Sequence, residues 1–128
     1  MSASEIDAKY DVYKALQADI QELYSMKQKS LSQFNENTLV KGELDLLSEE
    51  DSVFKLVGPA LTKVDLGEAI GNVAKRLEFI ESEITKLDNQ IAVKQGEQTK
   101  VGDEVKKLQG NLAAQAATAA QQVADEVS

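Results

Sequence analysis

The side chains that could do chemistry in this sequence are carboxylates, lysines and hydroxyls, because its 128 residues contain no His and no Cys. Without His, neither a histidine-based triad nor the carboxylate-and-histidine set of a di-iron helical bundle can be assembled. Without Cys there is no thiolate metal site and no disulfide framework, so packing alone must hold the fold. Three local patterns remain to be weighed. Gly58 to Lys63 superficially suggests a phosphate loop, but no glycine precedes the lysine, and the Walker pattern fails. The stretch Ser48-Glu49-Glu50-Asp51-Ser52 lacks the alternation and central Gly of a calcium-binding EF-hand loop and reads as a solvated turn. Gly67 and Gly71 have GxxxG spacing in a helix far too polar to span a membrane, which predicts close helix packing there. No catalytic residue, metal ligand or cofactor is therefore assigned.

The elements that carry these residues follow from composition and periodicity. The chain is 42% hydrophobic and 28% charged but only 5% aromatic, with one Pro. That excess of aliphatic and charged residues over aromatics is the bias of long helices and coiled coils. A formal charge of -8 repels phosphate backbones, so nucleic acid and anionic membrane surfaces are not expected partners. The segment from Met1 to Tyr13 is polar and acidic, and no apolar run approaches the roughly 20 residues of a membrane span. The expected compartment is the cytosol.

Leu66, Ile70, Val73, Leu77, Ile80, Ile84, Leu87 and Ile91 step alternately by four and three, pass over Lys94 and Gln98, and resume at Val101, Val105, Leu108 and Leu112. A sustained repeat of this kind keeps an apolar stripe aimed at a partner helix only if the two supercoil. At the rise of an α-helix the seam would run roughly 70 Å. Asp65 and Glu68 have capping-box spacing at its start. Beyond it, the Ala- and Gln-rich stretch from Ala113 to Ala124 is a strong helix former with little to bury, expected to fray. Gly96, Gly102 and Gly110 each cost about 1 kcal/mol relative to Ala, so this half is expected to be the looser one. Upstream, Ile6, Tyr10, Tyr13, Leu16, Ile20, Leu23, Leu31 and Phe34 share one helical face in a less regular register, weakened from Asn35 to Thr38 and restored by Val40, Leu44 and Leu47. Between the helices, Val53-Phe54-Lys55-Leu56-Val57, the turn Gly58-Pro59 and Ala60-Leu61-Thr62-Lys63-Val64 read as a β-hairpin. The expectation is a single domain over 1–128, dominated by α-helix: a long antiparallel two-helix coiled coil (helices about 5–47 and 66–124) with one short β-hairpin (about 53–64) at the bend. A lone hairpin is marginal in water, and no other strand is legible, so its missing neighbours are expected from other subunits.

The hairpin residues Val53-Phe54-Lys55-Leu56-Val57-Gly58-Pro59, with Leu61 and Lys63 after them, and the following Lys75-Arg76-Leu77-Glu78-Phe79-Ile80 closely resemble the β class of prefoldin subunits. A single hairpin rather than two matches that class; Ala60 and Thr62 are smaller than the aliphatics its pattern favours. The resemblance implies a hexameric co-chaperone in which hairpins of α-class and β-class subunits close β-barrels and the helical hairpins hang as tentacles. It further implies that the tips hold unfolded chains, chiefly actin and tubulin, for delivery to a cytosolic chaperonin without nucleotide.

Carried onto this sequence, Val53, Phe54, Leu56, Val57, Leu61 and Val64 would build the barrel, alternating between its two faces. Ile6, Tyr10 and Tyr13 would lie opposite the Leu112 to Val127 region, and with Leu112, Val123 and Val127 they would offer a spaced apolar surface for many-point binding of unfolded segments. The plainer reading is that these residues finish the seam. Glu43, Asp45, Glu49, Glu50 and Asp51, and distally Asp103, Glu104, Asp125 and Glu126, could attract basic client segments, though such runs are usually solvated faces. The strongest rival is a scaffolding or tethering coiled coil, against which the hairpin argues, since a spacer needs no barrel-forming strands. An amphipathic lipid binder is disfavoured by the narrow seam and acidic surface.

Overall fold

A computed structural model describes residues 3–127 as α1 (Ala3–Asp45), β1 (Val53–Val57), β2 (Ala60–Val64) and α2 (Leu66–Val127) in chain order. The one proline, Pro59, falls in the β1–β2 turn, so nothing breaks either helix. Helix α1 ends at Asp45, slightly short of Leu47, where the amides of Leu46 and Leu47 donate to the carbonyls of Glu43 and Leu44 at 3.2 and 3.1 Å and tighten the last turn. The acidic stretch that follows folds on itself: the Asp51 carboxylate accepts from the Ser48 amide (2.8 Å) and hydroxyl (3.2 Å), and the Asp51 amide donates back to the Ser48 carbonyl. Asp65 caps α2, its carboxylate accepting from the Glu68 amide at 3.2 Å. Helix α2 continues to Val127, past the expected end near Ala124.

The chain packs as two compact units. The hairpin unit, Tyr24–Asn89, joins the C-terminal half of α1 to the hairpin and the first part of α2. Its least exposed side chains are Leu44, Val73, Ile80 and Leu87, and Lys27 pairs with Asp88 at 2.7 Å across the two helices. That ion pair raises the Lys27 pKa through the hydrogen bond to Asp88. The terminal unit takes the described residues up to Leu23 and those from Gln90 onward. Leu16, Ile20, Ile91 and Val105 are buried there. Antiparallel register is fixed by Lys9–Glu104 (2.6 Å), Gln98 donating to Gln17 (2.6 Å), and Lys94–Asp19 (3.6 Å).

Every expected seam position of α2 from Leu66 to Leu108 is buried or half-buried, Lys94 and Gln98 included. Helix α1 is more regular than its apolar residues suggest. Ile6, Lys9, Leu16, Ile20, Leu23, Lys27, Ser30, Leu31, Phe34, Asn37, Lys41 and Leu44 are its shielded positions; all but Leu31, together with Tyr13, make an unbroken alternation of three and four. Val40 and Leu47, placed on the seam by the sequence, are exposed at 44% and 37%. Among the described residues no side chain is fully buried.

Candidate functional site

The hairpin is closed by Gly58, whose φ of +60° is left-handed and open to glycine at no steric cost. With Val57 opposite Ala60, glycine first and proline second make a two-residue II′ turn, whose twist suits the strands. The register pairs Val53 with Val64, Phe54 with Lys63, Lys55 with Thr62 and Leu56 with Leu61. Side chains alternate across a strand, so the pairs sort onto two faces. Val53 and Val64 are half-buried and line a groove of about 300 Å³ with Val40, Leu44, Ala69 and Val73. On the other face Phe54, Leu56 and Leu61 are 56%, 67% and 69% exposed; Val57 is exposed as well. Only two strands make this sheet, and each has an outer edge. In an antiparallel pair closed at 57/60, the peptide groups of Phe54, Leu56, Leu61 and Lys63 point outward. Of the six hairpin residues singled out from the sequence, Val53 and Val64 are half-buried against the helices, Phe54 borders the same groove while more than half exposed, and Leu56, Val57 and Leu61 stand in solvent.

The second cluster does not form as the sequence suggested. Ile6, Tyr10 and Tyr13 do not lie opposite Leu112 to Val127. The register set by Lys9–Glu104 places them against residues 102–111: Tyr10 and Tyr13 border a groove of about 300 Å³ with Gly102, Val105, Lys106 and Gln109. Ile6 is half-buried. The Tyr10 and Tyr13 rings are parallel within 3° at 6.3 Å between centroids, and the Lys14 ammonium sits 4.7 Å above Tyr10, a cation held by the ring's negative face. Leu112, Val123 and Val127 stand on α2 beyond this level, 37%, 59% and 83% exposed, and every described residue from Leu112 on is exposed.

The glycines also differ from expectation. A Cβ on Gly71 would meet nothing within 4 Å, and on Gly67 only the Asp65 carboxylate at 3.2 Å, so this pair does not mediate close helix packing. A Cβ on Gly102 would touch the Tyr13 ring at 3.4 Å, and the residue lines the groove. Sequence reasoning missed Gly102 as a site residue, and also Leu39, Leu46 and Phe79, exposed at 70%, 86% and 65% in the hairpin unit. Phe79 had a legible signal, since it falls between the seam positions Leu77 and Ile80 and must point away from them. Lys9, hydrogen-bonded to Glu104, holds that carboxyl below its ordinary range. Among the described residues no cluster of acidic side chains suits a metal ion, and no helix is long and apolar enough to cross a membrane.

Comparison with known proteins agrees with this geometry. The crystal structure of the prefoldin beta subunit from Thermococcus strain KS-1 superposes with a TM-score of 0.77 at 18% identity, covering 80% of this chain and 90% of that one, so the fold is the prefoldin beta fold. In sequence, prefoldin subunit 6 of Saccharomyces cerevisiae is 43% identical over 110 residues, 86% of this chain and 94% of that protein. Prefoldin subunit 6 of Arabidopsis thaliana is 41% identical over 97 residues, 76% of this chain and 75% of that protein, and its Homo sapiens counterpart 41% over 87 residues, 68% and 67%. A family model described as prefoldin subunit matches residues 7–112, ending at the level where α2 loses its shielding. Helix, hairpin, helix, an exposed apolar strand face and these similarities have one reading: the chain belongs to the prefoldin family, as a subunit of a prefoldin chaperone complex.

Proposed function

We propose that this chain joins other prefoldin subunits, of α and β class, in a cytosolic hetero-hexamer through its hairpin. In that assembly it helps hold unfolded polypeptides, of actin and tubulin type, at its helix ends for delivery to a cytosolic chaperonin, without nucleotide or cofactor. The observation that carries the reading is the hairpin: Phe54, Leu56 and Leu61 stand more than half exposed on a sheet with two open edges. Main-chain pairing by added strands satisfies such edges, and the apolar face supplies the area to be buried. Val53, Phe54, Leu56, Val57, Leu61 and Val64 are the proposed barrel residues, and Ile6, Tyr10, Tyr13, Leu112, Val123 and Val127 the proposed client-binding positions. Family membership points to a non-enzymatic role. A fixed scaffold or tether accounts for the coiled coil but not for the exposed strands.

Native mass spectrometry of the tagged chain purified from its own cells tests this. A six-chain assembly of similarly small subunits is expected. A stable homodimer, or a complex with large dissimilar proteins, would overturn it in favour of the scaffold.

A further inference from the structure

The groove beside Tyr10 and Tyr13 has two properties that helix packing does not require. The first is Gly102. Glycine inside a helix costs about 1 kcal/mol relative to Ala, and here a Cβ would make only ordinary contact with the Tyr13 ring, at 3.4 Å. The coil could carry an alanine at that position; what a side chain there would remove is the space between the rings and α2. The second is charge. In a chain with formal charge -8, the one charged residue lining this groove is a cation, Lys106. A second ammonium, that of Lys14, stands over Tyr10. Of the neighbouring carboxylates, Glu104 is tied to Lys9 at 2.6 Å, and Asp103, next to Gly102 in the chain, is exposed and does not line the groove. Among the described residues Lys106 makes no ion pair.

We propose that this groove selects, among unfolded polypeptide segments, those in which an aliphatic side chain is followed by a carboxylate. The aliphatic group enters between the Tyr13 ring, Gly102 and Val105, and the carboxylate meets Lys106 and Lys14 at the rim. A volume of about 300 Å³ lies at the small end of ligand clefts, enough for a short apolar side chain and its immediate neighbour. The selection deepens the polypeptide-capture reading above and rests on it. Charge at an exposed rim acts mainly on discrimination and encounter rate, and salt screens it.

The test uses the complex assembled with its partner subunits and two fluorescein-labelled unstructured peptides of identical apolar content, one with Asp and one with Lys beside each Leu. Binding is read by fluorescence anisotropy. The Asp peptide is expected to bind roughly 3- to 5-fold tighter at low salt, as one or two exposed charge pairs allow. Lys106→Glu should erase or reverse the ratio, and 0.5 M salt should compress it. Gly102→Ala, whose Cβ would make ordinary contact with the Tyr13 ring at 3.4 Å, narrows the groove and should weaken both peptides; Gly102→Leu fills it and should weaken them further, with circular dichroism of the variant as the check that the coil is kept. Equal binding of the two peptides that is still lost in Gly102→Leu would overturn the acidic selection while leaving capture at this groove intact. Binding indifferent to both Gly102→Leu and Lys106→Glu would place capture elsewhere. If neither peptide binds the complex, the capture reading itself fails.

Discussion

Leu56 and Leu61 face each other directly across the hairpin at 67% and 69% exposure, which allows folding and assembly to be separated by one pair of substitutions. Within the chain these side chains have little left to lose: truncating both to Ala removes mostly solvated atoms, and the thermal melt of the isolated subunit should move by no more than a degree or two. In the assembly they should be covered. Full burial of a leucine is worth roughly 1.5–3 kcal/mol, and about two-thirds of that remains to be gained by each. The double variant Leu56→Ala/Leu61→Ala should therefore weaken assembly by about 2–4 kcal/mol, a factor of roughly 30 to 1,000 in the dissociation constant. Titration of the purified chain into its partner subunits, followed by native mass spectrometry, reads that factor, and circular dichroism of the chain alone reads the control. Assembly at unchanged midpoint would refute the assignment of this face to an interface. A collapse of the isolated chain's helicity would refute the claim that the face contributes nothing within the subunit.

Three further outcomes follow from the geometry. Asp65→Ala removes the acceptor for the Glu68 amide and should cost about 1 kcal/mol, lowering the denaturant midpoint, while Asp65→Asn should retain most of it. Ile80 is only 5% exposed, and Ile80→Ala should cost about 2–4 kcal/mol in a urea melt followed at 222 nm. Glu104 is held below its ordinary pKa by Lys9; a depressed carboxyl contributes stability that is present above its unfolded pKa and lost as pH falls through the folded one, so the Lys9–Glu104 pair should let go only in acid. Side-chain NMR titration should show the Glu104 midpoint rising in Lys9→Gln, and an unchanged midpoint would show that the pair does not persist in solution.

How much of this was readable in the residues depended on which side chains occupy the seam. Along α2 from Leu66 to Ile91 every seam position is aliphatic, and the periodicity was complete. On α1 the same geometry is held by Lys9, Lys27, Ser30, Asn37 and Lys41, which a hydrophobic pattern cannot register. Lysines serve there because their methylene stems cover apolar surface while the ammonium reaches outward, for Lys9 and Lys27 to Glu104 and Asp88. Val40 and Leu47 were misplaced for the same reason: apolar residues off the seam looked like its continuation. The hairpin was legible in full, since Gly-Pro between two β-branched runs leaves few alternatives. The tip pairing was not read correctly, although counting outward equally from the Gly58–Pro59 turn already brings Tyr13 close to Gly102. The overhang of a 62-residue helix beyond a 43-residue one was legible in that count as well, and was missed by treating Leu112 to Val127 as a partner for α1.

The open edges of the hairpin have a consequence for the life of the subunit before it finds its partners. Two strands with outward-facing peptide groups and three exposed large apolar side chains on one face are a template for any extended chain, including another copy of the same hairpin. A newly made, unassembled subunit is thus itself a candidate for aggregation and for quality control. Its abundance is then set by that of its partners: surplus copies persist only as long as something covers the strands, so supply in excess of the other subunits should be degraded rather than stored.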